Sequence, residues 1–65
     1  GEPELLPAVE RRLADASAVV RGAAVWAAGR LADAGALTGL HRDHGAAEVD
    51  AEVRAEWAAL GFGGS

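Results

Sequence analysis

Residues 18–32 read AVVRGAAVWAAGRLA, and this stretch decides the fold. Apolar side chains and alanines recur every three or four positions along it, which is the period of an α-helix. The two glycines inside the stretch each cost a helix about 1 kcal/mol relative to alanine, so we expect a neighbouring helix to approach closely there. The predicted core positions are Val20, Ala23 or Ala24, Ala27 and Leu31, with Val19 and Trp26 beside them on a wide buried face.

A related pattern returns near the end of the chain, where residues 49–60 read VDAEVRAEWAAL. Val20-Arg21 recurs as Val53-Arg54, a spacing of 33 residues (53 − 20), and each pair opens an alanine-rich helix that carries a tryptophan. Helix pairs that repeat at such a period are typical of α-solenoids, in which each pair buries its apolar face by stacking on the next. The predicted core face of the last helix consists of Val49, Val53, Trp57 and Leu60.

The fold class predicted for the whole chain is all-α, because no stretch alternates as a strand does. The four predicted helices cover residues 3–15, 18–32, 36–44 and 51–60. The first has an apolar stripe that contains Val9 and Leu13, and residues 33–35 form the predicted connector before the third. The third is expected to end with a C-cap at His44-Gly45, followed by a polar loop at 46–50. Asp15 or Ser17 is suited to cap the second helix, and Asp50 the fourth. Short connections favour two antiparallel hairpins, which form a short α-solenoid fragment. The chain is then one domain, with repeat one at about residues 4–32, repeat two at about 36–60, and a flexible tail at 61–65.

The composition provides few large apolar side chains for a hydrophobic core. Of the 65 residues, 33 are hydrophobic, but 17 of those are alanine, and only 16 larger apolar side chains remain. A chain this short buries only about 60% of its unfolded surface, so its stability is marginal. We therefore expect a fragment of a larger protein, and no self-sufficient enzyme.

Several classes of protein are excluded by what the sequence lacks. There is no cysteine, which excludes a disulfide framework, a thiolate nucleophile and thiolate metal or iron–sulfur ligands. The net charge of −4 disfavours a stand-alone nucleic-acid binder, and no DNA partner is expected. No apolar run approaches membrane-spanning length, and the acidic N-terminus does not resemble a signal peptide. The expected location is the cytoplasm.

Three stretches carry a resemblance to a known family: LLPAVE at residues 5–10, VVRGAAVWA at 19–27 and DAEVRAEW at 50–57. They resemble HEAT-like repeats of the phycobilisome-lyase type. More narrowly, they are similar to the C-terminal segment of bacterial tRNA epoxyqueuosine reductases, which are iron–sulfur cluster-binding proteins. The match covers about residues 4–60. It departs from the family where Ala16 and Ala18 replace the usual prolines.

The narrower resemblance implies a parent enzyme of queuosine biosynthesis. Such enzymes reduce epoxyqueuosine in tRNA with a cobalamin and two [4Fe–4S] clusters, whose cysteines lie upstream of this segment. No catalytic residue, cofactor-binding residue or metal ligand transfers to the present chain, which has no cysteine. The role that the resemblance implies is packing on the rest of the parent protein and helping to dock the tRNA anticodon arm.

Six basic residues are candidate contacts to RNA phosphates or to a partner. They are Arg11, Arg12, Arg30, His41, Arg42 and His44. The alternative interpretation is a solvated surface, and for residues near a helix C-terminus a favourable interaction with the helix dipole. His41 and His44 have helical spacing for a metal, but two ligands without a third are a weak metal site.

The repeated arginines and tryptophans have a structural and a functional interpretation. Arg21 and Arg54 could form a basic ladder along a phosphate backbone, or each could pair with a carboxylate such as Asp15 or Asp50. Trp26 and Trp57 could stack on bases, or pack in the core between the repeats. The structural interpretation is predicted for all four, together with Val20 and Val53.

The sequence is thus compatible with two functions. The first is the non-catalytic C-terminal domain of an epoxyqueuosine reductase, and the alternative is a generic HEAT-like protein-interaction module. An exposed apolar strip on an inner helix, without adjacent basic residues, would favour the second.

Overall fold

The computed structural model describes residues 5–62, apart from the side chain of Leu5, and it confirms an all-α fold. Within this range there is no strand. The elements are α1 (Leu5–Leu13), α2 (Ala18–Leu31), α3 (Ala34–Leu40), a π-helical turn (His41–Gly45), α4 (Ala51–Trp57) and a second π-helical turn (Ala58–Phe62). The predicted helix start at residue 3 and the predicted tail residues 63–65 lie outside the described residues.

α2 is the central helix of the fold. It packs against α1 on one face and against α4 on another. α3 contributes less, through Leu37 and Leu40, which are partly buried against the core, while the His41–Gly45 turn packs on α4. The result is two helical hairpins, stacked through their second helices, as the solenoid pattern predicts.

Side-chain caps explain where three of the helices begin. The Ser17 hydroxyl accepts a hydrogen bond from the backbone of α2, and Asp33 and Asp50 do the same for α3 and α4. Capping by Ser17 and Asp50 was predicted and is confirmed. The predicted connector at residues 33–35 is wrong, because Asp33 already caps a helix that begins at Ala34.

The end of the third helix also differs from the prediction. The predicted helical end at Gly45 required the left-handed backbone of a C-cap, but among the described residues only Gly61 has a positive φ, of 101°. Instead, α3 widens into the π-helical turn, and the backbone N–H of Ala46 donates to the carbonyl of His41 at 2.9 Å. Gly45 is buried there against Trp57, so its role is close packing.

Among residues 6–62, seven hydrophobic side chains form the buried core. They are Val9 and Leu13 from α1, Ala24, Val25 and Ala28 from α2, and Val53 and Trp57 from α4. Ala24 and Val25 are neighbours in sequence and point about 100° apart around the helix. Both are buried because α2 has a helix on each of two faces, whereas the predicted stripe allowed for one face and omitted Val25.

Three large apolar residues that were predicted to be buried are exposed. Val19 is 82% exposed and Trp26 is 59% exposed, because both lie on the part of α2 that neither α1 nor α4 covers. Val49 is 86% exposed because it precedes the cap of α4, where helical periodicity no longer applies. Core packing of Trp26 is therefore wrong, whereas core packing of Trp57 and Val53 is confirmed.

The two glycines of α2 differ in how closely α4 and the turn after it approach. A Cβ added at Gly29 would lie 2.6 Å from Leu60 Cδ2, which confirms the expected close approach. A Cβ added at Gly22 would lie 3.9 Å from Val53 Cγ2, which is an ordinary van der Waals contact.

We therefore predict different effects on stability for two matched glycine-to-alanine variants of α2. Gly22→Ala should raise the free energy of unfolding by up to about 1 kcal/mol, because alanine is the better helix former. Gly29→Ala gains the same helix preference, but its added methyl group must displace Leu60. The free energy of unfolding of this variant should therefore be unchanged or lower. Urea unfolding of both variants measures the difference, and equal stabilisation by both would contradict the packing at Gly29.

The chain reverses after α4 at Gly61, whose left-handed backbone is the usual way for a helix to end at glycine. Phe62 consequently folds back, and its ring lies 5.8 Å from that of Trp57 in an edge-to-face arrangement. Phe62 thus packs against the core although it falls in the predicted tail, whereas Gly61 is exposed.

Candidate interaction surface

The two hairpins are joined by an ion pair between Arg21 on α2 and Glu48 in the loop before α4. Arg21 Nε donates to Glu48 Oε1 at 2.8 Å and Nη2 donates to Oε2 at 3.0 Å. The remaining nitrogen, Nη1, donates to the backbone carbonyls of Asp15 and Ala16. The guanidinium therefore fixes the α1–α2 loop and the loop before α4 to the start of α2, which favours the structural interpretation of Arg21.

The protonation of this pair follows from its hydrogen bonds. Those from Arg21 lower the pKa of Glu48 below its ordinary value, against the opposing effect of burial. The backbone N–H of Asp50 adds a further donor to Glu48 Oε2 at 2.9 Å. The hydrogen bond to Glu48 likewise raises the pKa of Arg21, so the pair is ionised at neutral pH.

The lowered pKa predicts a dependence of stability on acid. A carboxyl group whose pKa is lower in the folded state than in the unfolded state stabilises the fold at a pH above its unfolded-state pKa, which is about 4.3 for glutamate. That stabilisation is lost as the pH falls through the folded-state pKa. We expect the melting temperature to fall less steeply below about pH 4.3 in Glu48→Gln than in the wild type. Circular dichroism melts at successive pH values measure this.

Glu56→Gln is the control, because Glu56 is an exposed glutamate with no ion pair within residues 5–62. It should keep the wild-type slope. A Glu48→Gln slope equal to that of the wild type would contradict the role of the pair.

Arg54 does not repeat what Arg21 does. It is exposed and makes no ion pair within the described part of the chain, so the predicted carboxylate partner is wrong for this residue. Of the two carboxylates in the loop before its helix, that of Glu48 is held by Arg21 and that of Asp50 caps α4. Arg54 instead lines an open groove of about 420 Å³ beside Trp57 and Phe62.

An aromatic cluster of His41, Trp57 and Phe62 forms the floor of that groove. The rings of His41 and Phe62 are stacked 4.3 Å apart, and His41 meets Trp57 edge to face at 5.2 Å. Such pairs contribute about 0.5–1.5 kcal/mol each beyond the area that they bury. This cluster holds the His41–Gly45 turn against α4.

The exposed part of α2 forms a continuous surface, the α2 face, which consists of Val19, Ala23, Trp26 and Arg30. Their spacing of four, three and four residues places them on one side of the helix. The guanidinium carbon of Arg30 lies 4.9 Å from the centre of the Trp26 ring, a cation–π contact. The face thus presents an apolar strip on the central helix, with a cation over its tryptophan.

Two open grooves border the α2 face. The α1–α2 groove, about 300 Å³, has Val9 and Arg12 on its α1 side. The α2–α4 groove, about 350 Å³, has Glu52 and Glu56 among the residues on its α4 side. Val19 and Ala23 line both grooves, so the face lies between a basic rim and an acidic rim.

The three predicted arginine contacts of the first hairpin are all exposed. Arg11 and Arg12 lie in the last turn of α1, and Arg30 lies in the last turn of α2. None of them has an ion pair within residues 5–62. Arg12 lies beside the α2 face, and Arg30 is part of it.

The predicted basic cluster of the second hairpin is divided by the structure. His41 is part of the aromatic cluster, whereas the Arg42 side chain is 76% exposed and pairs with Asp43 at 3.4 Å. His44 Nε2 lies 3.3 Å from Glu10 Oε2 on α1. The three side chains therefore do not form one shared site.

The part of the chain that the structure describes contains neither a candidate metal cluster nor a candidate membrane-spanning helix. Residues 5–62 contain no group of three or more histidine, aspartate or glutamate side chains placed to hold a metal ion. None of the helices found there is both long and apolar enough to cross a bilayer.

Two important residues were missed by the sequence analysis. Glu48 was treated as part of a polar loop, since its partner Arg21 is 27 residues away and no local pattern connects them. Gly45 was interpreted as a helix end. For Glu48, the repeat offers a signal. Arg21 requires a carboxylate near the start of its helix, and Glu48 is one of the few carboxylates that a stacked second hairpin brings there.

Comparison with known proteins gives one match. Residues 1–25 match a family model described as a HEAT repeat associated with sister chromatid cohesion. No curated protein and no solved structure matches the chain significantly. The first 25 residues are therefore similar to a HEAT repeat.

Proposed function

We propose that the chain is a non-catalytic helical-repeat module that binds a protein partner through the α2 face. The observation that carries the proposal is Trp26, which is 59% exposed in the middle of the central helix. Together with Val19 it makes an exposed apolar strip, and such strips mark interaction sites. Tryptophan and arginine are also the residues that most often dominate binding energy at interfaces, and Trp26 and Arg30 are stacked here.

Charge supports a protein partner over a nucleic acid. The strip is not free of basic neighbours, because Arg30 lies on it and Arg12 lies at its edge. The opposite rim, however, carries Glu52 and Glu56, and the net charge of the chain is −4. A phosphate backbone on the α2 face would meet this acidic rim beside Val19 and Ala23, whereas a protein surface can match both rims.

The experiment is site-specific photo-crosslinking in the cells that produce the protein. A photoreactive phenylalanine analogue replaces Ala23, which lies within the α2 face, or Ala59, which is exposed on the last turn. We expect a protease-sensitive, ribonuclease-resistant adduct from position 23 and none from position 59. The adduct should disappear when Val19→Glu is added.

An adduct from both positions would contradict the proposal, as would the absence of any adduct from position 23. An adduct from position 23 that ribonuclease removes would indicate an RNA partner instead.

A second candidate function is the C-terminal domain of a tRNA epoxyqueuosine reductase. The resemblance of residues 19–27 and 50–57 to that family supports it, and Arg11 and Arg12 are exposed and available to RNA phosphates. The parent, in the cytoplasm, would supply the cobalamin, the [4Fe–4S] clusters and the catalytic residues. This chain would pack on the parent and help to dock the tRNA anticodon arm.

This candidate is tested by titrating a labelled anticodon stem-loop into the parent at low salt, with and without residues 1–65. We expect weaker, salt-dependent binding when the residues are removed. Unchanged affinity would contradict the docking role. An upstream coding sequence without cysteine-rich cluster motifs would contradict the assignment of the parent.

A further inference from the structure

We infer that the partner element seated on the α2 face is an amphipathic helix with acidic residues along one flank and basic residues along the other. This inference rests on the proposed function and specifies the chemistry of the partner. Three observations lead to it: the shape of the face, its apolar content and the opposite charges of its two rims.

The shape of the α2 face suits a helix. Its exposed residues are spaced four, three and four positions apart, so they form a straight ridge, and an open groove lies on each side of its first half, at Val19 and Ala23. α2 has 14 residues and is therefore about 21 Å long, which matches a partner helix of about four turns. A helix that lies along this ridge can place apolar side chains at the same spacing into the two grooves.

The rims then determine the charges of the partner. Arg12 lies at the α1–α2 groove, and Glu52 and Glu56 lie at the α2–α4 groove. None of the three has an ion pair within residues 5–62. Carboxylates on one flank of the partner would meet Arg12, and ammonium or guanidinium groups on the other would meet the two glutamates.

The test uses three synthetic helical peptides of about 16 residues, each with leucines at the spacing of the α2 face. One has glutamates on one flank and lysines on the other, the second has lysines on both flanks, and the third has glutamates on both. Binding is measured by fluorescence anisotropy of labelled peptides, and burial of Trp26 by a blue shift of its emission. We expect the mixed peptide to bind about threefold or more tightly than either of the others at low salt.

Charge-reversed variants make the assignment of each rim testable. Arg12→Glu should shift the preference towards the peptide with lysines on both flanks, and the double variant Glu52→Lys with Glu56→Lys should shift it towards the peptide with glutamates on both. These residues are exposed, and circular dichroism of each variant verifies that it is folded. Val19→Glu should abolish binding of all three peptides.

Equal affinity for the three peptides would overturn the inference, as would a preference that the variants leave unchanged. Binding of none of them would overturn it too. Self-association of the free chain in sedimentation experiments, lost in Val19→Glu, would also overturn it by showing that a second copy covers the face. Each of these results is compatible with a protein adduct from position 23 in the crosslinking experiment. Failure of this inference is therefore distinguishable from failure of the proposed function.

Discussion

Replacement of Trp57 by alanine is expected to leave the chain largely unfolded at 25 °C. The side chain is 2% exposed, meets His41 and Phe62 edge to face, and lies against Gly45. Truncation of a buried tryptophan costs about 3–5 kcal/mol. The core of a domain with only 65 residues rarely supplies more than about 3–5 kcal/mol of net stability, so little or nothing remains. Far-UV circular dichroism with urea titration measures the loss.

The chain supplies its own control in Trp26→Ala. Trp26 is 59% exposed and makes a cation–π contact with Arg30, worth about 0.5–1 kcal/mol at such a site. The better helix preference of alanine offsets part of that loss, so we expect a change below about 0.5 kcal/mol. A large loss in Trp26→Ala, or a small one in Trp57→Ala, would contradict the different environments of the two tryptophans.

Gly45→Ala is the second variant with a large expected effect. An added Cβ would lie 2.8 Å from Cε2 and 3.0 Å from Cδ2 of Trp57, and it would also overlap the ring of His41. Rings held in a cluster cannot move aside as the end of a flexible chain can. We expect the free energy of unfolding to fall by about 2 kcal/mol, the usual cost of overpacking a core. Near-UV circular dichroism should report the disturbed Trp57.

Gly35→Ala is the matched control for this variant. Gly35 is exposed in α3, and the nearest atom to an added Cβ is Asp33 Oδ1 at 3.7 Å. Stability should be unchanged or higher by up to about 1 kcal/mol. If Gly45→Ala proved as stable as Gly35→Ala, the close packing of the His41–Gly45 turn on Trp57 would be wrong.

The elements of the fold were predictable because their signals are local. The periodicity of residues 18–32, the caps Ser17 and Asp50, and the apolar stripe containing Val9 and Leu13 are each contained within a few turns of helix. The fold class and the stacking of two hairpins follow from these signals together with the repeat. Contacts between distant residues were less accessible to the same reasoning.

The orientation of α2 shows why contacts between distant residues were harder to predict. Apolar residues and alanines surround this helix almost completely, so periodicity alone cannot tell which two faces meet α1 and α4. Val25 was omitted from the predicted stripe and is buried, whereas Trp26, its neighbour, was included and is exposed. The difference is set by where α4 packs, which no local pattern specifies.

The candidate site was predictable only in part for the same reason. Arg30 was singled out as a contact residue and lies on the α2 face, but its stacking on Trp26 depends on that tryptophan being exposed. The opposite charges of the two rims arise only when α1 and α4 are brought to either side of α2. Six basic residues chosen for their charge therefore gave no single site.

The ion pair of Arg21 with Glu48 has a mechanical consequence. Arrays of helical repeats flex at the joints between successive units, where few contacts resist bending. Here the joint is held by two parallel hydrogen bonds, and the same guanidinium is anchored to two backbone carbonyls of the preceding loop. Bending one hairpin away from the other would have to break the two bonds to Glu48 together. The unit would accordingly behave as a stiff spacer that transmits force and keeps its curvature under load.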